Sequence, residues 1–206
     1  MRKLIIAITV AAGLWFYMFS PWTQGAPNFW IVMSVAAVTL TTLGLVFTAD
    51  RAELLIVEKP ALQLLGGVVL AFALWGIFWI GDKLSGLMFS FARPEVDAVY
   101  SMKQGLPAWL IAVLLLLLIG PAEEFFWRGY VQRTLCGKIG ANWALVATAL
   151  IYALVHIWSF NFMLIMAALV AGAVWGIVYR LCPKALPALI ISHALWDALV
   201  FVVLPI

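Results

Sequence analysis

Six ionisable residues lie within or at the end of long apolar runs: Glu123, Glu124, Arg128, His156, His193 and Asp197. On insertion scales an Asp, Lys or Arg in hydrocarbon costs about 2.5–3.5 kcal/mol, so such residues point to function by default. The first three close the apolar stretch Leu106–Ile119, in the order Gly120-Pro121-Ala122-Glu123-Glu124-Phe125-Phe126-Trp127-Arg128. On a helix Glu124 and Arg128 are four apart and share a face, where they can neutralise each other. Glu123 lies about 100° round the cylinder and needs a partner from elsewhere. His193 and Asp197 repeat the four-residue spacing, so they too share a face. His156 sits inside a further apolar run, in Tyr152-Ala153-Leu154-Val155-His156.

A registry argument pairs Glu123 with His156. They are 33 residues apart, and the midpoint falls at Ile139–Gly140, inside the turn-like Cys136-Gly137-Lys138-Ile139-Gly140. In an antiparallel helical hairpin, residues equidistant from the apex lie at the same height. Each would stand about 25 Å along its helix from the turn, at 1.5 Å per residue. This requires the helix bearing Glu123 to continue past Arg128, with Pro121 kinking it just before the carboxylates. A carboxylate opposite an imidazole can polarise a water between them, and a desolvated Glu is a competent base near neutrality. His193 with Asp197 could bind the oxyanion formed when that water attacks a carbonyl. The reaction class these groups suggest is peptide-bond hydrolysis inside a membrane. There is no Gly-x-Ser-x-Gly elbow and no His-Glu-x-x-His zinc helix.

The elements that must position these groups follow from composition. Hydrophobic residues make up 67% of the 206, charged residues 10%, and the mean hydropathy is +1.13. Soluble domains run near 25% charged, so the expected fold is all-α: a polytopic membrane helical bundle in one domain, 1–206, with the catalytic core near 106–204. Segments of about 20 apolar residues can span a bilayer. Seven are expected, near 4–20, 28–49, 61–81, 107–127, 141–159, 161–180 and 186–205. Pro27, Pro60, Pro107 and Pro187 mark span starts, where a missing N–H costs nothing. Arg2-Lys3 followed by apolar residues to Phe19 resembles a secretory leader. However, no small-x-small cleavage site follows, so an uncleaved first span is the reading.

Basic residues set the orientation. With the N-terminus in the cytoplasm, Arg2, Lys3, Arg51, Lys59, Arg128, Arg133, Lys138, Arg180 and Lys184 fall inside, against Lys83, Arg93 and Lys103 outside. The basic residues form no patch of the kind a nucleic-acid surface needs. Cys136 and Cys182 form neither a disulfide framework nor a metal-ligand spacing and read as inert thiols. In the long loop Asp82–Gly105, Leu84, Leu87, Met88 and Phe91 recur at helical spacing, so part of it is expected along the interface. Its charges read as a solvated face. The tryptophans near span ends suggest an interfacial belt, and Gly172 with Gly176 a packing seam.

At its polar residues the chain resembles the CAAX prenyl protease and bacteriocin-processing family of glutamic intramembrane proteases. The family pattern is Glu-Glu-x-x-x-Arg, then Phe-x-x-x-His, then His-x-x-x-Asn or Asp. Glu123, Glu124 and Arg128 match the first, and His193 with Asp197 the third. The second is met as Tyr152-x-x-x-His156, with one aromatic in place of another. The resemblance covers roughly 120–200, about 40% of the chain. It implies a metal-independent endopeptidase without a cofactor, in which Glu123 and His156 activate water and Glu124 with Arg128 is a structural ion pair. His193 with Asp197 would serve the oxyanion, for which an aspartate must carry a proton to donate.

The expected partner is a membrane-associated peptide or protein tail, prenylated or not, in a prokaryotic inner or plasma membrane. Two alternatives stay open on the residues alone. Two histidines and a carboxylate are also a legitimate metal set, which would make a metal-dependent membrane protease. The polar cluster could instead serve a non-catalytic scaffold, bacteriocin-immunity factor or transporter.

Overall fold

The structure is a computed structural model that describes residues 1–23, 28–54 and 56–206. Pro27, expected at a span start, lies outside them. Among the described residues there are only helices and connections. Seven helices are long and apolar enough to cross a bilayer. They are α1 (Arg2–Phe19), α2 (Phe29–Phe47), α3 (Pro60–Met88), α5 (Ala108–Ile139), α6 (Ala141–Ser159), α7 (Phe162–Leu181) and α8 (Pro183–Val203). The chain is an integral membrane protein. The shorter α4 (Ala92–Ser101) lies between α3 and α5.

The spans follow the apolar runs, with two exceptions. α3 runs on to Met88, so Leu84, Leu87 and Met88 belong to the end of a long helix rather than to a loop. α5 runs past Arg128 to Ile139, because residues 125–139 contain no proline and Gly140 is the first residue to leave helical geometry (φ +78°). α6 then starts at once, so Gly140 alone turns the hairpin. Pro60 opens α3 at its first position, where no N–H is needed. Asn161 caps α7 by accepting from the Leu164 N–H at 2.8 Å, and the Glu95 carboxylate on α4 accepts from Met163 N at 2.9 Å.

α5 is irregular where it is most polar. Turns of π type run over Leu115–Ile119 and Phe125–Gln132, on either side of the α-helical Gly120–Glu124. Pro121 offers no N–H, which helps to account for the wide turn before the carboxylates. α6 does the reverse: its last turn, Val155–Ser159, tightens to 3₁₀ and ends at Phe160 in left-handed geometry. His156 is on that tightened turn.

Two apolar clusters hold the bundle. One joins α1, α2, α5 and α6 through Trp15, Trp30, Leu40, Phe126 and Trp127. The other joins α3, α7 and α8 through Leu74, Trp175 and Leu189, and reaches α5 at Phe125. α5 is therefore the shared wall, with successive residues facing different clusters. Outward faces are apolar too, as lipid requires: Ile31, Val35 and Val38 form an exposed stripe on α2. The tryptophans divide between two roles. Trp22, Trp109 and Trp143 are exposed near helix ends, whereas Trp15, Trp30, Trp127, Trp175 and Trp196 are buried. The belt reading fails for the buried five because inward-facing positions near the core take the largest side chains.

Candidate active site

Close helix approaches bring the polar residues together. A Cβ on Gly120 would sit 2.7 Å from the Ala194 Cα, so only glycine lets α5 lie this close to α8 beside His193. On Gly172 a Cβ would meet the Tyr152 ring at 3.0 Å. The seam expected at Gly172 and Gly176 has a second use. Arg128 Nη2 donates to the Gly172 carbonyl at 3.0 Å, and Gln132 Nε2 to the Gly176 carbonyl at 2.9 Å. The matching four-residue steps show α5 and α7 running parallel.

Glu124 is the hub. Its Oε1 accepts from Arg128 Nη1 at 2.6 Å, with both side chains fully buried. The same oxygen faces His193 Nδ1 at 2.8 Å. A carboxylate can only accept, so Nδ1 of His193 carries the proton. The far nitrogen, Nε2, lies 3.6 Å from Asp197 Oδ2. The His193 ring stacks on Trp175 at 4.0 Å between centroids, and the Arg128 guanidinium lies over the Tyr152 and Trp175 rings at 5.3 and 5.4 Å. The first and third motifs are thus one network, Arg128–Glu124–His193–Asp197.

Glu123 finds its partner on α6. Tyr152 Oη donates to Glu123 Oε2 at 2.8 Å. The carbonyl of the same tyrosine accepts from His156 Nδ1 at 2.8 Å, which fixes the proton there and leaves Nε2 as a lone pair. Glu123 and His156 are therefore joined through Tyr152 rather than to each other. The His156 Nε2 lone pair accepts from Trp15 Nε1 of α1 at 3.0 Å.

Glu123, Tyr152, His156, His193 and Asp197 all line one cavity of about 440 Å³. The rest of its wall is mostly apolar and comes from α1 to α5, α7 and α8, including Phe19, Phe78, Phe89, Trp196 and Phe201. Glu124 and Arg128 do not line it; they stand behind His193. Among the described residues, no group of three His, Cys, Asp or Glu is arranged to hold a metal ion. Cys136 and Cys182 are free thiols outside the cavity.

Motif spacing alone did not reveal the roles of Tyr152, Trp175, Gln132 and Trp15. Tyr152 had a signal, since a hydroxyl stands where the family pattern has phenylalanine. Trp15 had none, as it sits in a span without a motif. Residues 105–199 match the family model described as type II CAAX prenyl endopeptidase, Rce1-like. The resemblance drawn from the three motifs is thereby shown for the segment that contains them. No curated protein and no solved structure matches the chain.

Proposed function

From an Rce1-like segment at residues 105–199, we infer that this protein is an intramembrane endopeptidase of glutamic type. It would hydrolyse a peptide bond in a membrane-associated peptide or protein tail. One observation carries the reading: a carboxylate, two imidazoles and a second carboxylate from α5, α6 and α8 converge on an otherwise apolar cavity. That composition accepts a hydrophobic tail and confronts its backbone with a base and with hydrogen-bond donors.

Glu123 is the base. Tyr152 holds its Oε2, and its other oxygen takes a proton from a water as that water's oxygen adds to the scissile carbonyl carbon. His156 Nε2 orients the same water by accepting its second hydrogen. The carbonyl oxygen becomes an oxyanion, stabilised by hydrogen bonds from His193 and Asp197. Collapse breaks the C–N bond, and the proton on Glu123 passes to the leaving nitrogen.

Charge counting supports the donor role of His193. Glu123 and Glu124 face a single guanidinium, and unbalanced buried charge is costly. A second proton on His193, with Asp197 as the neutral acid, balances the cluster and gives both residues a hydrogen to donate. No step calls for a metal: Glu124 and Nδ1 of His193 are already committed to each other. The cytoplasmic N-terminus follows the basic-residue asymmetry, with Arg133–Glu53 and Lys184–Glu58 ion pairs at the same face.

The test compares membrane proteomes of cells carrying the native protein with cells carrying Glu123→Gln. A peptide whose cleavage disappears is the substrate. Purified native protein should cut it in detergent with chelator present, and Glu123→Gln should fall by at least about 100-fold while remaining folded. A Glu123→Gln protein at the native rate would overturn the assignment.

A further inference from the structure

We propose that Trp15 latches the active site: its indole N–H occupies the His156 lone pair and must leave before His156 can hold the attacking water. The inference rests on the catalytic reading of His156 and extends the site to α1, outside the segment matched by the family model.

Tautomer and geometry carry it. Tyr152 O accepts from Nδ1, so Nε2 is the only basic position on His156, and Trp15 Nε1 donates to it at 3.0 Å. Both residues are buried, at 1% and 7% exposure, so bulk water does not compete for the bond. A nitrogen lone pair accepts one strong hydrogen bond, so a water and the indole exclude each other there.

The element that carries the latch packs mainly on α2 and on the last turn of α6. α1 is also coupled to the cavity. Phe19, one turn beyond Trp15, packs on His156 with centroids 5.6 Å apart and lines the cavity wall. A substrate tail that fills the cavity presses on Phe19, and the displacement draws Trp15 off Nε2. The resting enzyme thus keeps its water-binding nitrogen occupied until an apolar tail arrives.

The two histidines of this chain make the latch measurable. Diethyl pyrocarbonate acylates an imidazole nitrogen with a free lone pair, and mass spectrometry separates His156 from His193. Trp15→Phe keeps the aromatic edges but removes the N–H. His156 should then react about tenfold faster than in the native protein, with His193 unchanged. An unchanged His156 rate overturns the latch. So does a faster rate in a variant that has lost cleavage as fully as His156→Ala, because Trp15 would then be a fixed positioning group. If the native protein itself cleaves nothing, the catalytic reading fails while the reactivity comparison still tests the contact. Should Trp15→Phe not fold, ¹⁵N-indole labelling of the native chain reads the same bond. One tryptophan N–H resonance should shift upfield in His156→Ala, and no responding resonance overturns the proposal.

Discussion

Glu124→Gln keeps the shape of the hub and removes its charge. In the native protein one oxygen of Glu124 serves both Arg128, at 2.6 Å, and His193, at 2.8 Å. Neutralising it strands a fully buried guanidinium whose other hydrogen bond, among the described residues, goes to the Gly172 carbonyl. Breaking a buried pair from one side costs about 3–5 kcal/mol, and two dependants put this variant near the upper end. Arg128→Met is the milder lesion. It leaves Glu124 with His193 and keeps apolar bulk between the Tyr152 and Trp175 rings, so about 3 kcal/mol is expected. The double variant should be less damaging than the sum by about 1–3 kcal/mol, because neither charge is left alone. Unfolding by SDS titration in mixed micelles, followed by tryptophan fluorescence, measures all four corners of the cycle. Additivity to within about 0.5 kcal/mol, or an Arg128→Met variant weaker than Glu124→Gln, would refute the hub.

Three further outcomes are expected from the same geometry. His156→Ala should lower cleavage by about 10²–10⁴-fold while leaving the folded fraction unchanged, as read by size-exclusion in detergent and substrate turnover. Tyr152→Phe deletes a hydrogen bond to a charged oxygen but keeps the aromatic of the family pattern. Its kcat should fall about tenfold or somewhat more, with KM little changed. Asp197→Asn keeps a donor at the oxyanion and should retain most activity, whereas Asp197→Ala should lose about 10²–10³-fold; a folded but inactive Asn variant would rule out donation.

The spans were legible because a bilayer imposes a length: about 20 apolar residues in a row have few other uses. The continuation of α5 past Arg128 was legible as well, since the Glu123–His156 registry required it; that the helix runs on through Cys136–Ile139 and leaves the turn to Gly140 was not. Height along a hairpin can be read from residue counting. Rotation about the helix axis cannot, and rotation decides which groups touch. Equal spacing from the apex gives no hint that Tyr152, one turn from His156, takes the Glu123 oxygen while His156 turns to Trp15.

Two physical causes lie behind that gap. The first is helix geometry: residues 115–119 and 125–132 of α5 run in wide turns, so the 100° step used to place Glu123 and Glu124 fails on both sides of them. The second is contact distance. Gly120 against Ala194 sets how α8 faces α5, and Gly172 against Tyr152 how α7 faces α6; the first is a fit between two backbones, the second between a backbone and a ring. A small-xxx-small pattern announces such a seam without naming its partner. The consequence at the active site is specific. His193 was expected to work with Asp197 alone, yet the close approach at Gly120 brings it against Glu124, so the presumed structural pair also fixes which nitrogen of His193 points at the cavity. On the proposed mechanism the ion pair and the oxyanion site form one device, and a substitution in either should be felt in the other.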